Sequence, residues 1–336
     1  MKRILVALVM TTSFFSAAVR SQETPDGLDP TARRHFYSDK TVVVANLDLT
    51  QLDKKTLERT LRGAFYESSL SHVRKEVQDV EKLMGTYATY ASGLTELKYN
   101  RLVVIGIEDG GLKLFGAIYL GKDVNEVGFA AVKLAVGALF PQGDIDRVGD
   151  YAVVCQRGVK VPSDKGHSTE AESTILTGFE QPRGSPAISF VLLPVETVKK
   201  PLAGLLKNPK DGSDALGKSL GEAAYTGGYL IVGDRPEIQL YARFGSEERA
   251  TAVKGQHDAY LADSIAKAAE DDAADEKAEA RVVAFTTREA MQRRVAKAME
   301  AKAFGRVFML PLDATDLRDI TAAIVDRYYR KVPKLE

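Results

Sequence analysis

Apolar residues alternate with polar ones in some stretches of this chain and recur every three or four positions in others, and the switches between the two periods divide it into elements. The β-branched run KTVVVANLDL, residues 40–49, predicts a strand. Thr50 with Asp53 three residues later predicts a helix start, and Leu57, Leu61 and Phe65 follow at helical spacing. A longer helix is predicted from Leu70, Val73, Val77, Val80, Met84, Tyr87, Ala91 and Leu94, which alternate steps of three and four without a break. This seam contains Gly85 and Gly93, which weaken a free-standing helix, so packing against the protein's own sheet is its expected use. RLVVIGIE and KLFGAIYLG predict two strands joined by a tight hairpin at Asp109-Gly110-Gly111. A helix from Asn125 to Phe140 and a strand from Gly149 to Cys155 complete a β-α-β-β-α-β order over residues 40–156.

A polar segment, Arg157–Pro186, contains Pro and Gly and reads as a linker. The order then recurs over residues 187–286. Its parts are the strand AISFVLLP, a helical region from Val195 to Tyr225, the strand GGYLIVG, a turn at Asp234-Arg235-Pro236, the strand EIQLYARF, a long helix capped by Ser246 and ending near Asp271, and the strand RVVAF. The matching order and lengths predict an internal duplication. A mainly helical C-terminal extension, residues 287–336, comprises a helix capped by Thr286 with Glu289, the strand RVFMLPL, and a helix from Asp313 to Arg330. LDLTQL at Leu47–Leu52 echoes LDATDL at Leu312–Leu317, and FVLLPVE echoes VFMLPLD; an acid and a threonine at a helix N-terminus explain the shared residues as caps. The β-α-β-β-α-β order resembles the ferredoxin-like fold, which implies an α+β protein of two tandem repeats, each an antiparallel sheet covered by helices, with an α-β-α extension. That fold hosts many unrelated activities, so the resemblance implies no function.

The first residues, MKRILVALVMTTSFFSAAVRSQ, have the layout of a secretory signal peptide. Lys2 and Arg3 precede the 12-residue apolar stretch Ile4–Phe15, and small residues follow. Cleavage is expected near Ala18 or Ser21, leaving a polar leader, residues 22–39, and an exported protein. No cysteine lies near the cut, so no lipid anchor is expected. The apolar run Gly128–Phe140 is 13 residues long and contains Lys133, too short to span a bilayer, and reads as a buried helix. Lys plus Arg equals Asp plus Glu at 46 each, and removing Lys2, Arg3 and Arg20 leaves a slight acidic excess, which points away from nucleic acid. The acidic run EDDAADEKAEA reads as a solvated helix end. The single cysteine, Cys155, excludes an intrachain disulfide and sits in the apolar run YAVVC, where a buried, inert thiol is expected.

One pattern carries chemistry on its face. GSDALGKS matches the phosphate-binding loop G-x-x-x-x-G-K-[ST] at Gly212, Gly217, Lys218 and Ser219. A working loop needs a strand leading into its first glycine and a long helix leaving it. Here Asn208-Pro209 precedes it and Thr226-Gly227-Gly228 follows soon after, so the match reads as a coincidence and no cofactor is expected. The histidines His35, His72, His167 and His257 show no metal spacing, so no metal site is expected. His257 falls with Val253 and Leu261 on an apolar helix face, and Ser71-His72 is read as helical, where neighbours face apart. Ser264 and Lys267 fit S-x-x-K inside a helix, without companion motifs. Asp48 and Glu108 lie on predicted strands and are candidate carboxylates for hydrolysis wherever the fold brings them together. The expectation is an exported, non-enzymatic interaction or assembly module of the cell envelope, bound to protein through an exposed apolar surface. The alternatives are an envelope hydrolase built on carboxylates or His257 between the repeats, and a small-ligand binding protein.

Overall fold

A computed structural model describes residues 40–96, 101–108, 110–120, 124–139, 143–156, 174–175, 177–179, 186–193, 213–275 and 282–333. The expected signal segment and leader, nearly all of the expected linker, the region from Val195 to Gly212 and the end of the acidic run lie outside the described residues. The protein is α+β. The described residues within Met1–Glu58, Val80–Val198 and Tyr225–Val232 form one compact unit, and those within Arg59–Asp79, Lys199–Ala224 and Gly233–Glu336 form a second.

In chain order, β1 (Thr41–Asp48) leads through a 3₁₀ turn to α1 (Lys54–Ala64), α2 (Glu67–Leu70) and α3 (Arg74–Glu96). There follow β2 (Arg101–Glu108), β3 (Leu112–Tyr119), α4 (Glu126–Leu139), β4 (Gly143–Val148) and β5 (Tyr151–Gln156). Then come β6 (Ile188–Leu192), α5 (Ser213–Leu220), β7 (Tyr225–Ile231), β8 (Glu237–Arg243), α6 (Glu247–Asp275) and β9 (Val282–Ala284). The chain closes with α7 (Arg288–Ala298), β10 (Lys302–Phe304), β11 (Val307–Leu312), α8 (Ala314–Tyr328) and β12 (Lys331–Pro333).

The first unit contains the strand succession β7-β6-β1-β2-β3-β5-β4 and the second β8-β11-β10, with each of these pairings antiparallel. This differs from the ferredoxin-like order. A split β-α-β unit sets a further strand between two parallel ones, whereas β1, β2 and β3 are successive antiparallel neighbours. The reason lies in the first connection. A single returning helix reverses the chain twice and delivers the next strand parallel to the last, but α1 and α3 both lie between β1 and β2, and the extra reversal delivers β2 antiparallel. The polar stretch GDIDRV also forms a strand, β4, which makes a hairpin with β5 through Gly149 at φ 57° and inserts β5 beside β3.

The C-terminal strands pair differently from the expected order. β9, expected to close the second repeat, pairs instead with β12 in a separate two-stranded sheet. β11, expected in an extension, pairs with β8, and β10 pairs with β11. The pairings β6·β7, β8·β11 and β11·β10 thus repeat the succession β1·β2, β3·β5 and β5·β4.

Caps set the helix starts. Asp53, not Thr50, caps α1: its carboxylate accepts from the Thr56 N–H at 3.1 Å and the Thr56 hydroxyl at 2.6 Å. Ser246 accepts from Arg249 N at 3.3 Å and starts α6, and Asp313 and Asp316 form a capping box on α8. α7 is capped by Thr287, one residue beyond the expected Thr286, and by Asp272 from α6, which accepts from Arg288 N at 3.0 Å and Glu289 N at 2.8 Å. Asp272 belongs to the acidic run read as solvated; its side chain is only 17 % exposed.

Alternation along the strands places Ala45, Leu47, Leu102 and Ile118 on one face of the first unit's sheet, in a core shared with Val132 and Val136 of α4 and with Leu57 and Leu94. The opposite face, with Val44, Ile105, Phe115 and Val153, is equally buried. In the second unit Ala242, Phe244, Phe308 and Leu310 pack with Val253 of α6 and Leu317 of α8.

Candidate functional site

The phosphate-loop match falls on a helix. Gly212 lies outside the described residues, while Gly217, Lys218 and Ser219 lie within α5. A phosphate cradle needs backbone N–H groups pointing into a loop; at these positions they belong to the helical ladder, and Gly217 O accepts from Gly221 N at 3.1 Å. Ser219 is buried, and its hydroxyl accepts from Arg249 Nη2 at 3.2 Å, while the same guanidinium pairs with Glu222. Lys218 is exposed. Of the three, Ser219 ties the short helix to α6 through Arg249.

His257 is a core residue, 4 % exposed, with its ring edge-on to Phe308 at 5.7 Å between centroids. Burial lowers its pKa, and Asp258 Oδ1, at 3.8 Å from Nδ1, stands beyond hydrogen-bond reach. Burial thus favours the neutral imidazole, which packs in the core against Phe308.

Ser71 and His72 lie in the turn between α2 and α3, not in a helix, so the expectation that they face apart is corrected. Ser71 Oγ is 3.2 Å from His72 Nδ1. Both atoms, however, converge on Ser68 O, at 3.1 Å and 2.9 Å. With each acting as a donor to that carbonyl, Nδ1 holds a proton and cannot take one from the serine. The pair caps a turn. Ser264 Oγ likewise donates to Tyr260 O at 2.8 Å within α6, away from any partner at Lys267. His35 and His167 lie outside the described residues.

The strand register separates Asp48 from Glu108. Asp48 lies opposite Arg101 at one end of β2, and Glu108 N bonds Lys40 O at the other, which puts the carboxylates roughly 25 Å apart along the strands. Burial raises the Asp48 pKa to about 6, against the lowering effects of a hydrogen bond from Gln51 Nε2 and of the Arg101 charge. Its Oδ1 and both amide atoms of Asn46, two residues earlier on the same strand face, are buried without hydrogen-bond partners among the described residues.

Cys155 is buried on β5 opposite Asp144, and burial, reinforced by Asp146 and Asp144, pushes its thiol up to about 11. The folded protein is therefore expected to show no reaction with a thiol-specific disulfide reagent at pH 8, and one equivalent of reaction after unfolding in urea. Rapid reaction of the native protein would show the thiol to be accessible and activated.

Among the described residues, no group of three His, Cys, Asp or Glu side chains gathers to hold a metal ion, and no helix is long and apolar enough to cross a membrane. No family model matches the chain, and no curated protein or solved structure matches it either. The geometry alone carries the functional reading.

Two surface features stand out. The first is α4, expected to be a buried helix. Its inner face, Val132 and Val136, is fully buried, but Val127 and Leu134 on the other side are 77 % and 78 % exposed, with Ala130 exposed between them. The second is a cavity of ≈ 450 Å³ in the second unit, lined by Arg59 and Arg62 of α1, Tyr66 and Glu67, Asp234 and Arg318 of α8. Thr60 Oγ1 accepts from Gly233 N at 2.8 Å, Arg318 Nε donates to Gly63 O at 2.8 Å, and Thr321 Oγ1 donates to Ala64 O at 2.8 Å. Arg59 and Arg62 at helical spacing were visible in the sequence; the arrival of Arg318 from 256 residues further on was not.

Proposed function

We propose that the protein is an exported, non-enzymatic interaction module of the cell envelope that holds a protein partner through the outer face of α4. The observation that supports this reading is the pair of exposed side chains Val127 and Leu134. A helix apolar on all sides belongs in a core, because each exposed branched side chain forgoes about 1.5–3 kcal/mol of burial. One such helix with its outer stripe in solvent fits a surface covered by another protein. Export rests on the layout of residues 1–21. The partner's matching surface is an apolar helix face or strip, because the stripe itself is apolar and its bordering charges are one of each sign, Glu126 and Lys133.

The test is a photo-cross-linking residue at Ala130 in the tagged mature protein, activated in the native envelope, beside the double variant V127D/L134D. The expected result is one discrete adduct, identified by mass spectrometry, that the purified wild type binds directly and the double variant binds at least about 100-fold more weakly. The variant's melting temperature should stay within about 2 °C of wild type, because both side chains already face water. An adduct with a second copy of the chain would make the partner a homodimer. No adduct, or equal binding by the variant, would overturn the reading.

A further inference from the structure

We infer that the arginine-lined cavity of the second unit is a binding site for an oxyanion, a phosphate or carboxylate group of a small molecule, gripped by Arg62 and by the outer fork of Arg318. The inference does not depend on the α4 face.

Positive charge in this cavity exceeds what the fold uses. Arg59 faces Asp234 at 3.7 Å. Arg318 spends its Nε on Gly63 O, and its guanidinium carbon lies 5.8 Å from the centre of the Tyr66 ring. Its two Nη groups have no partner among the described residues. The Arg62 guanidinium likewise has neither ion pair nor hydrogen bond among them, although Glu67 lines the same cavity. An arginine near a helix C-terminus often serves to satisfy the terminal carbonyls. Here Gly63 O and Ala64 O already receive Arg318 Nε and the Thr321 hydroxyl, so Arg62 is left over.

The walls are held rather than loose. A Cβ at Gly63 would come within 2.6 Å of Pro236 Cδ, so the last turn of α1 lies flat against the Gly233–Pro236 turn, and the Thr60–Gly233 hydrogen bond fastens it there. Tyr66 OH donates to Asp319 Oδ1 at 3.1 Å, fixing the ring under Arg318. A guanidinium held at Nε and over an aromatic face presents its Nη pair in one plane, the geometry that takes two oxygens of a carboxylate or phosphate side by side. Orientation achieved before binding lowers the entropic cost of taking the anion.

The test is calorimetric titration of the mature protein with inorganic phosphate and, separately, with malonate, at constant ionic strength set by sodium chloride. One-site saturable binding of at least one probe is expected. Phosphate alone would identify a phosphate site, malonate alone a carboxylate site, and both a general oxyanion site; each supports the inference. Arg62→Ala should weaken binding about tenfold with an unchanged melting temperature. Arg318→Lys, which keeps the charge and loses the planar fork, should weaken it by a similar factor. Absence of saturable binding by either probe up to about 20 mM, or wild-type affinity in Arg62→Ala, would overturn it.

Discussion

Leu94→Ala is expected to lower the stability of the first unit by about 3 kcal/mol. Leu94 is 1 % exposed and sits near the end of α3 in the cluster that contains Leu47, Leu49, Leu57 and Val132. Truncation removes buried methyl groups and leaves a cavity that strand side chains, tied into the sheet on both edges, cannot close. Urea unfolding monitored by Cys155 reactivity reads the change in the same unit. Val77→Ala, at a half-exposed position of the same seam, should cost under about 1 kcal/mol. The contrast decides how the seam from Leu70 to Leu94 is used. If it served mainly to pair with another helix in solution, Leu94→Ala would change the dependence of unfolding on protein concentration and leave the monomer's stability nearly intact.

The second large effect is linked to pH through Asp48. In the unfolded chain its carboxyl titrates near the ordinary aspartate value of 3.8; in the fold, burial holds it at about 6. Between these values the folded protein carries the extra proton, so stability falls as pH rises from about 4 to 6. Above pH 6 the buried carboxylate is a standing cost, and below pH 4 the cost is absent. Asp48→Asn is expected to remove this slope and to stabilise the protein above pH 6 by about 1–2 kcal/mol, less than the full pKa displacement implies because the carboxyl remains partly in contact with water. Asn retains an acceptor for Gln51 Nε2, and the variant and wild type should converge near pH 4. Unfolding curves at a series of pH values give the answer: a parallel offset at every pH would mean that Asp48 acts through packing and not through its charge.

Elements whose partners are local were legible. β1, β2, β3 and α8 lie close to where periodicity put them, because alternation and helical spacing report which face of a segment is buried. Caps were legible to within a few residues, as at Ser246 and Asp313, since a cap is a contact between near neighbours. Errors arose where a polar pattern hid a strand or where identity depended on a distant partner. β4 was not foreseen as a strand because GDIDRV has few apolar residues, yet it needs only one buried residue, Ile145, to ride on the edge of β5. Ser71 and His72 were read as helical because the apolar steps of three and four run through them, although the backbone turns there.

The sequence by itself determined the class of the protein, most of its strands and helices and the inertness expected of Cys155. It did so because these follow from short-range propensity and from which side of each segment is apolar. Only the tertiary structure decided which strands are neighbours and which apolar helix face remains in water. The tertiary structure also brought Arg318 to the side of Arg62. Strand order depends on how many times a connection reverses direction, and exposure depends on what else covers a surface. Neither quantity is written in any one window of the chain.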